Sequence, residues 1–194
     1  MDETDAPASS AQNVLAVSGV AYGVIGADLH VFGGNGVPVY RLANWRPHPA
    51  PAARTDRHDE LEQLRRWRDW GSRLQLRWLY GADGQGKSRL ADQFAAESVQ
   101  AGWKVVAATD GPGSVPEPAG RQDLRPDSAP GCLVIVGNAD RWPLNHLTWL
   151  FSNTLFHRAG PARVLLLART DDSWPRLRAA VACLEAGTSS QFLE

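Results

Sequence analysis

The sequence is poor in lysine and cysteine and has no surplus of basic charge. Lys87 and Lys104 are its only lysines, and the net charge is −1. Nucleic-acid-binding domains usually carry a clustered basic excess, so a nucleic-acid partner is not expected. The two cysteines, Cys132 and Cys183, are too few for a disulfide framework or a zinc site. Cys132 lies in an apolar run and Cys183 in a helical pattern, which predicts two buried thiols.

Long apolar runs are also absent. No segment approaches the ~20 consecutive apolar residues that a membrane-spanning helix needs. Residues 1–13 are polar and acidic, without the basic and then apolar pattern of a secretory signal. Hydrophobic residues make up 43% of the chain and charged residues 21%, as in globular proteins with a packed core. The sequence therefore predicts a cytoplasmic protein that does not interact with a membrane.

The first 53 residues differ in character from the rest. Residues 1–13 are predicted to be a disordered tail. Residues 14–53 form a β-rich leader that ends in a proline-rich linker. Within this leader, Asp28–Phe32 alternates polar and apolar residues, and Gly33–Gly36 supplies a tight turn before a second extended segment. This pattern predicts a β-hairpin, which must pack against another part of the chain to be stable.

Residues 54–194 alternate between patterns typical of helices and of buried strands. This alternation indicates parallel strands joined by helices, that is, an α/β three-layer sheet with helices on both faces. The predicted strands are 74–80, 103–108, 132–136 and 163–168. The predicted helices are one capped by Thr55 or Asp56, followed by 87–100, 144–157 and 174–184.

One motif carries specific chemistry. The run from Gly81 to Ser88 matches the pattern G-x-x-x-x-G-K-[ST], and it joins a predicted strand to a predicted helix. In such a loop the backbone N–H groups surround phosphates, the lysine reaches the terminal phosphates, and the hydroxyl binds Mg²⁺. A sequence with almost no lysine places one at this position. The predicted phosphate-binding residues are Gly81, Ala82, Asp83, Gly84, Gln85, Gly86, Lys87, Ser88 and Arg89.

The acid that usually accompanies such a loop is not where it is expected. A neighbouring buried strand normally ends in an aspartate that holds Mg²⁺ through water. The strand 132–136 is followed by Gly137, and the nearest acid is Asp140. Asp140 either assists the metal and catalysis, or caps the next helix or pairs with Arg141. No glutamate follows to activate water, which predicts slow hydrolysis.

The last apolar strand ends at Arg169. A cation there can detect the terminal phosphate and stabilise charge during phosphoryl transfer; the alternative is a surface ion pair with Asp171 or Asp172. The ends of parallel strands meet at one edge of a sheet. We therefore expect Arg169 to lie near the glycine-rich loop, near 137–140, and near Thr109 and Asp110.

These segments together resemble the STAND-type signalling ATPases, P-loop proteins related to the NB-ARC and AAA+ groups. The resemblance rests on Trp78–Ala91, Ala101–Val105, Leu133–Arg141 and Arg163–Arg169. It implies a P-loop NTPase fold that binds ATP and Mg²⁺, with Arg57 near the adenine, although Asp56 stands where the family has glycine. In most family members an aspartate stands at the position that corresponds to Gly137. Family members continue into a fifth strand and further domains, whereas this chain ends soon after its fourth predicted strand, which predicts an incomplete core.

Several functions remain open at this point. The first is an ATP-dependent signalling switch with weak or no hydrolysis, acting through self-association or a protein partner. The second is a competent ATPase that uses Lys87, Asp140 and Arg169, with Ser88 and Asp140 as metal ligands. The third is a fragment that binds no nucleotide and acts through protein contacts. A small-molecule kinase is a more remote fourth, for which Arg121 and Arg125 are the only candidates for an arginine-rich lid.

Overall fold

The computed structural model describes residues 14–17, 20–25, 28–32, 38–46, 57–111, 129–153, 156 and 160–194. The predicted tail 1–13, the turn Gly33–Gly36, residues 47–53 of the linker and the cap at Thr55 or Asp56 lie outside these residues, as do Arg121 and Arg125. The strands are β1 (Val14–Val17), β2 (Val20–Ile25), β3 (Asp28–Phe32), β4 (Pro38–Asn44), β5 (Leu74–Tyr80), β6 (Lys104–Asp110), β7 (Cys132–Val136), β8 (Ala162–Ala168) and β9 (Gly187–Phe192). The helices are α1 (His58–Asp69), α2 (Lys87–Gln100), α3 (Leu144–Phe151) and α4 (Trp174–Ala180).

The nine strands form one sheet in the order β1-β2-β3-β4-β6-β7-β8-β5-β9. From β6 to β9 all neighbouring strands are parallel, whereas β1 to β4 form an antiparallel meander that joins β6 through β4. The predicted hairpin between β3 and β4 is confirmed. Its packing partner is the edge of the parallel sheet, where Leu42 lies opposite Ala108.

Helices cover both faces of the parallel strands, because β5 to β8 are apolar on both sides. Residues Leu76 and Trp78 of β5 belong to one core, which includes Leu147 of α3 and Leu177 of α4. Leu79 belongs to the other core, which includes α1 and α2. Parallel strands buried on both faces read as continuous apolar runs, and β7 and β8 are fully buried along their length. The predicted α/β arrangement of three layers is confirmed.

The structure corrects the predicted end of the core. A fifth parallel strand, β9, follows α4 and pairs with β5 from Gln75↔Gly187 to Tyr80↔Phe192. The prediction of four core strands was wrong. The strand is an edge strand with alternating half-buried and exposed residues, so its sequence, GTSSQF, carries no apolar run that would reveal it.

Two smaller expectations also fail. The helix predicted for 144–157 ends at Phe151, because Ser152 and Asn153 bond back to the last turn: the Ser152 hydroxyl donates to the Trp149 carbonyl at 2.7 Å.

Cys132 is buried as predicted, but Cys183 is exposed. It lies in a 3₁₀ turn after α4 has ended, where the helical periodicity no longer applies.

One buried arginine fixes α1 to the sheet. The side chain of Arg163, at the start of β8, is 2% exposed. Its guanidinium donates hydrogen bonds of 2.9–3.3 Å to six backbone carbonyls, which belong to Trp67, Arg68, Trp70, Ser72, Arg73 and Ala162. Burial lowers the pKa of Arg163, an effect that the charge of Asp69 opposes. An arginine stays protonated despite such a shift, so the group caps the carbonyls at the end of α1 as a cation.

Candidate functional site

The glycine-rich loop, Gly81–Gly86, joins the carboxyl end of β5 to α2. Position 81 requires a glycine because the backbone of Leu193 lies against it. A Cβ there would lie 2.4 Å from the carbonyl oxygen of Leu193. Leu193 in turn donates its N–H to the carbonyl of Tyr80 at 2.7 Å, so the residue after β9 closes one side of the loop. Gly86 has φ +82°, a left-handed conformation that side chains disfavour. The two glycines therefore let the chain curl tightly before α2 begins.

The N-terminus of α2 is not neutralised by the protein itself. Its cap residue, Gly86, supplies no side-chain hydrogen bond, and the first turn contains no acid. In contrast, Asp59 and Glu60 occupy the first turn of α1. The first intrahelical bond of α2 runs from the N–H of Leu90 to Gly86, so the N–H groups before it have no helical acceptor. This end of α2 is therefore an uncompensated positive site that suits an anion.

Lys87 reaches back over the loop that precedes it. Its ammonium group donates to the carbonyl oxygens of Gly81 at 2.7 Å and Ala82 at 2.8 Å. These two bonds hold the half-buried side chain along the concave side of the loop, in place of an extended solvated conformation. The side chain of Lys87 is thus bonded to the loop that precedes its helix.

A cavity of about 410 Å³ opens against the loop and α2. Three cationic side chains line it, those of Lys87, Arg89 and Arg169, against one acid, Asp83. The hydroxyl-bearing Ser88 lines it as well. The remaining lining residues are Gly84, Gly86, Gly137, Asn138, Leu167 and Ala168. Three cations beside a bare helix N-terminus make this cavity, which we call the phosphate cavity, suited to an anion of several charges.

The tip of β7 forms the wall opposite the loop. Gly137 is exposed and follows the buried strand, and a Cβ at this position would have no atom within 4 Å. Its carbonyl accepts a hydrogen bond of 3.1 Å from the indole of Trp142. Asn138, which sequence reasoning did not single out, has a left-handed backbone with φ 49° and lines the cavity. Both residues face the loop, but neither brings a carboxylate.

Asp140 and Arg169 pair with each other. The Oδ2 atom of Asp140 lies 3.1 Å from Nε of Arg169, and the backbone N–H of Arg169 donates to Oδ1 at 3.4 Å. The Asp140 side chain is only 7% exposed, whereas that of Arg169 is 41% exposed and lines the phosphate cavity. The partners suggested by the sequence, Arg141 for Asp140 and Asp171 or Asp172 for Arg169, were the wrong ones. Asp140 itself does not line the cavity.

Arg57 lies at a different place from the other predicted residues. It precedes α1, pairs with Glu60 at 2.9 Å and donates to the backbone carbonyl of Glu194. Glu194 follows Leu193, which contacts Gly81, so Arg57 borders the loop on the β9 side. The structure does not bring Arg57 to the wall of the phosphate cavity.

A second cavity, of about 820 Å³, adjoins the first, and the two share Ser88, Gly137, Asn138 and Leu167. Thr109 and Asp110 at the end of β6 line it, so the predicted convergence of the strand ends is confirmed. Asp110 contacts Nδ1 of His146 at 2.8 Å. Trp45, which follows β4, also lines this cavity, and its indole donates to Asp92 of α2 at 3.2 Å.

The protein offers few ligands of its own to a metal ion. Among the described residues, no group of three or more histidine, cysteine, aspartate or glutamate side chains could hold one. The Ser88 hydroxyl is available on the cavity wall, whereas the Asp140 carboxylate is engaged with Arg169. Mg²⁺ is commonly bound by few protein ligands together with substrate phosphates. The residues present therefore fit a Mg²⁺ ion that arrives with a phosphate ligand and is held mainly by it.

Within the described ranges, no helix has both the length and the apolar character to cross a bilayer. Comparison with protein-family models and with curated protein sequences gives no match.

Proposed function

We propose that the chain is a P-loop NTPase core that binds a nucleoside triphosphate with Mg²⁺ and acts as a nucleotide-dependent switch with weak hydrolysis. The observation that carries this proposal is the bare N-terminus of α2, which begins directly after a curled glycine loop with Lys87 on its concave side. Phosphate chains are bound in this way by backbone N–H groups, a helix end and a lysine. ATP is the nucleotide that the resemblance to STAND ATPases implies.

Three further features support binding of a triphosphate. The phosphate cavity has three cations at its wall, and Arg169 stands across from the loop where a terminal phosphate would lie. Ser88 provides the hydroxyl that Mg²⁺ needs. The core with helices on both faces places the loop at the carboxyl edge of parallel strands, where ligands of such sheets bind.

We propose weak hydrolysis because, among the described residues just after β7, no carboxylate is free of an ion pair. Gly137 has no side chain, and the Asp140 carboxylate contacts Arg169.

The helix α2 connects the nucleotide site to another part of the molecule. Asp92 lies one helical turn after Ser88 and accepts a hydrogen bond from Trp45, so nucleotide binding at Ser88 is proposed to be transmitted to Trp45 through α2. The recipient of the switch is proposed to be a second copy or a protein partner. Trp70 and Phe192, 77% and 54% exposed, are apolar side chains that such a contact would cover.

The direct test is equilibrium binding of ATP and GTP to the full chain by calorimetry, with Mg²⁺ and with chelator. Micromolar binding of ATP is the expected result. Absence of binding by a chain that is folded by circular dichroism would refute the proposal and favour a role in protein contacts alone. Rapid turnover by the wild-type chain would favour the competent ATPase instead.

Restoring a carboxylate at position 137 is expected to increase the dependence on Mg²⁺. Nothing within 4 Å obstructs a Cβ there, so the backbone at Gly137 accepts the first atom of a side chain without a clash. Residues that hold a metal through water commonly change its affinity by about 10–100-fold. We expect Mg²⁺ to strengthen ATP binding about tenfold more in Gly137→Asp than in the wild type, and hydrolysis to rise with it.

Gly137→Asn is the matched control for this experiment. It has nearly the same shape as the aspartate variant but no charge, so it should behave as the wild type does. The measurement is ATP affinity by calorimetry at a series of Mg²⁺ concentrations, with phosphate release as a second readout. Equal effects of the two variants would show that a carboxylate at this position is not what the site lacks.

A further inference from the structure

Three cationic side chains line the phosphate cavity, and among the described ion pairs only Arg169 of these three takes part in one. It follows β8 directly, and the 3₁₀ turn Ala139–Arg141 follows β7. Because β7 and β8 are adjacent parallel strands, in register at Val136↔Leu166, their ends lie side by side. This adjacency brings Asp140 to Arg169 across 29 residues of sequence.

The contact fixes the guanidinium at one end only. Asp140 accepts from Nε and from the backbone N–H of the same residue, which restrains both the side chain and the main chain of Arg169. A guanidinium has five N–H donors, four of them on its two terminal nitrogens. Within the described ranges no hydrogen bond of these terminal nitrogens is found. They form a planar fork, the geometry that binds phosphate oxygens in pairs.

Burial makes Asp140 a firm support for this fork. Its side chain is 7% exposed and sits in a short turn whose Arg141 N–H donates to the Asn138 carbonyl at 2.9 Å. Arg169 is 41% exposed, so without Asp140 nothing described would restrain its side chain near the cavity. A free arginine samples many rotamers, and ordering it costs free energy on binding.

We propose that Asp140 is a positioning residue, which acts through Arg169 to make the site distinguish a triphosphate from a diphosphate. This inference rests on the proposed function, and it replaces the predicted role of Asp140 as a ligand of Mg²⁺. Asp140 does not contact the nucleotide in this scheme. It presents the terminal nitrogens of Arg169 to the terminal phosphate, which ADP lacks.

The test is a double-mutant cycle on the full chain. The dissociation constants of ATP and ADP are measured for the wild type, Asp140→Ala, Arg169→Ala and the double variant, with Mg²⁺ and with chelator. The wild type is expected to prefer ATP about tenfold, the size of a single charge-assisted contact. Each single variant is expected to reduce this preference to about twofold, and the double variant to lose no more than Arg169→Ala does.

Two conservative variants keep the test valid if a truncation weakens the fold. Arg169→Lys keeps the charge beside Asp140 but lacks the fork, so the chain should fold normally and lose most of the preference for ATP. Asp140→Asn keeps one acceptor for Nε and should retain part of the preference. Urea unfolding of every variant establishes that the binding measurements concern folded protein.

Each contrary result has a distinct meaning. If Asp140→Ala still weakens ATP binding in the Arg169→Ala background, and only with Mg²⁺, then Asp140 serves the metal and the inference is wrong. If Asp140→Ala leaves the preference intact while Arg169→Ala removes it, the ion pair is merely structural. A wild type that binds ATP and ADP equally well overturns this inference alone, whereas one that binds neither overturns the proposed function.

Discussion

Replacing Lys87 with alanine is expected to weaken ATP binding about 100-fold. Its ammonium group lies on the concave side of the loop, bonded to the Gly81 and Ala82 carbonyls. Phosphate oxygens are stronger acceptors than carbonyls, so a triphosphate would take over these donors. Hydrogen bonds to charged groups contribute about 1.5–3 kcal/mol, and 1.4 kcal/mol corresponds to a factor of ten. Calorimetric titration with ATP measures the change directly.

The chain offers a matched control in its other lysine. Lys104 begins β6, at the opposite end of the strand from the site, so Lys104→Ala removes the same charge without touching the loop. It should bind ATP as the wild type does. The two bonds of Lys87 lie within a half-exposed loop, and their loss should lower the free energy of unfolding by less than about 1 kcal/mol. Equal ATP affinities in the two variants would remove the central support for the proposed function.

Replacing Arg163 with methionine is expected to destabilise the protein by about 3 kcal/mol or more. Methionine fills a similar volume, but it donates to none of the six carbonyls. Those of Trp70 and Arg73 keep a second donor, Gln75 Nε2 and the Ala162 N–H, whereas the buried bonds to Trp67 and Arg68 at the end of α1 are lost. Each buried acceptor that loses its partner costs about 1–3 kcal/mol, and some of the six can turn to water. For a chain of this size the loss corresponds to a fall in Tm of roughly 10 °C.

Arg66 provides the comparison. Its side chain is 73% exposed and pairs with Glu62 on the surface of α1. Exposed pairs contribute about 0–1 kcal/mol, so Arg66→Met should unfold at nearly the wild-type urea concentration. Arg163→Lys should lie between the two, because an ammonium group has three donors for six acceptors. Equal urea midpoints for Arg66→Met and Arg163→Met would contradict the role given to Arg163.

The sequence predicted those parts of the fold that are determined locally. The bounds of β5, α2 and β7 agree with the structure residue for residue. Each is a run of one pattern, alternating, helical or continuously apolar, and a glycine follows within two residues of its end, so neighbouring residues alone specify it. The convergence of the glycine-rich loop, Gly137, Arg169 and Asp110 at one edge also followed, because parallel strands leave few alternatives.

What the sequence did not predict depends on partners that are distant along the chain. Asp140 was expected to assist a metal, to cap the next helix or to pair with Arg141, whereas the adjacency of β7 and β8 gives it Arg169. The strand β9 exists because β5 offers an edge, and its own residues are polar. The same holds for β4, whose place beside β6 follows from the topology of the sheet. Sequence patterns report burial and period but not which element lies beside which.

The clamp formed by Arg163 has a consequence for how the chain folds during synthesis. Apart from Ala162, its acceptors lie 90 to 96 residues before it. While the ribosome makes residues 57–162, the end of α1 has no access to the group that caps it. Contacts of such sequence separation form late and slow the folding of a domain. The end of α1 is therefore expected to dock stably only after β8 has been synthesised, because β8 carries the arginine that caps it.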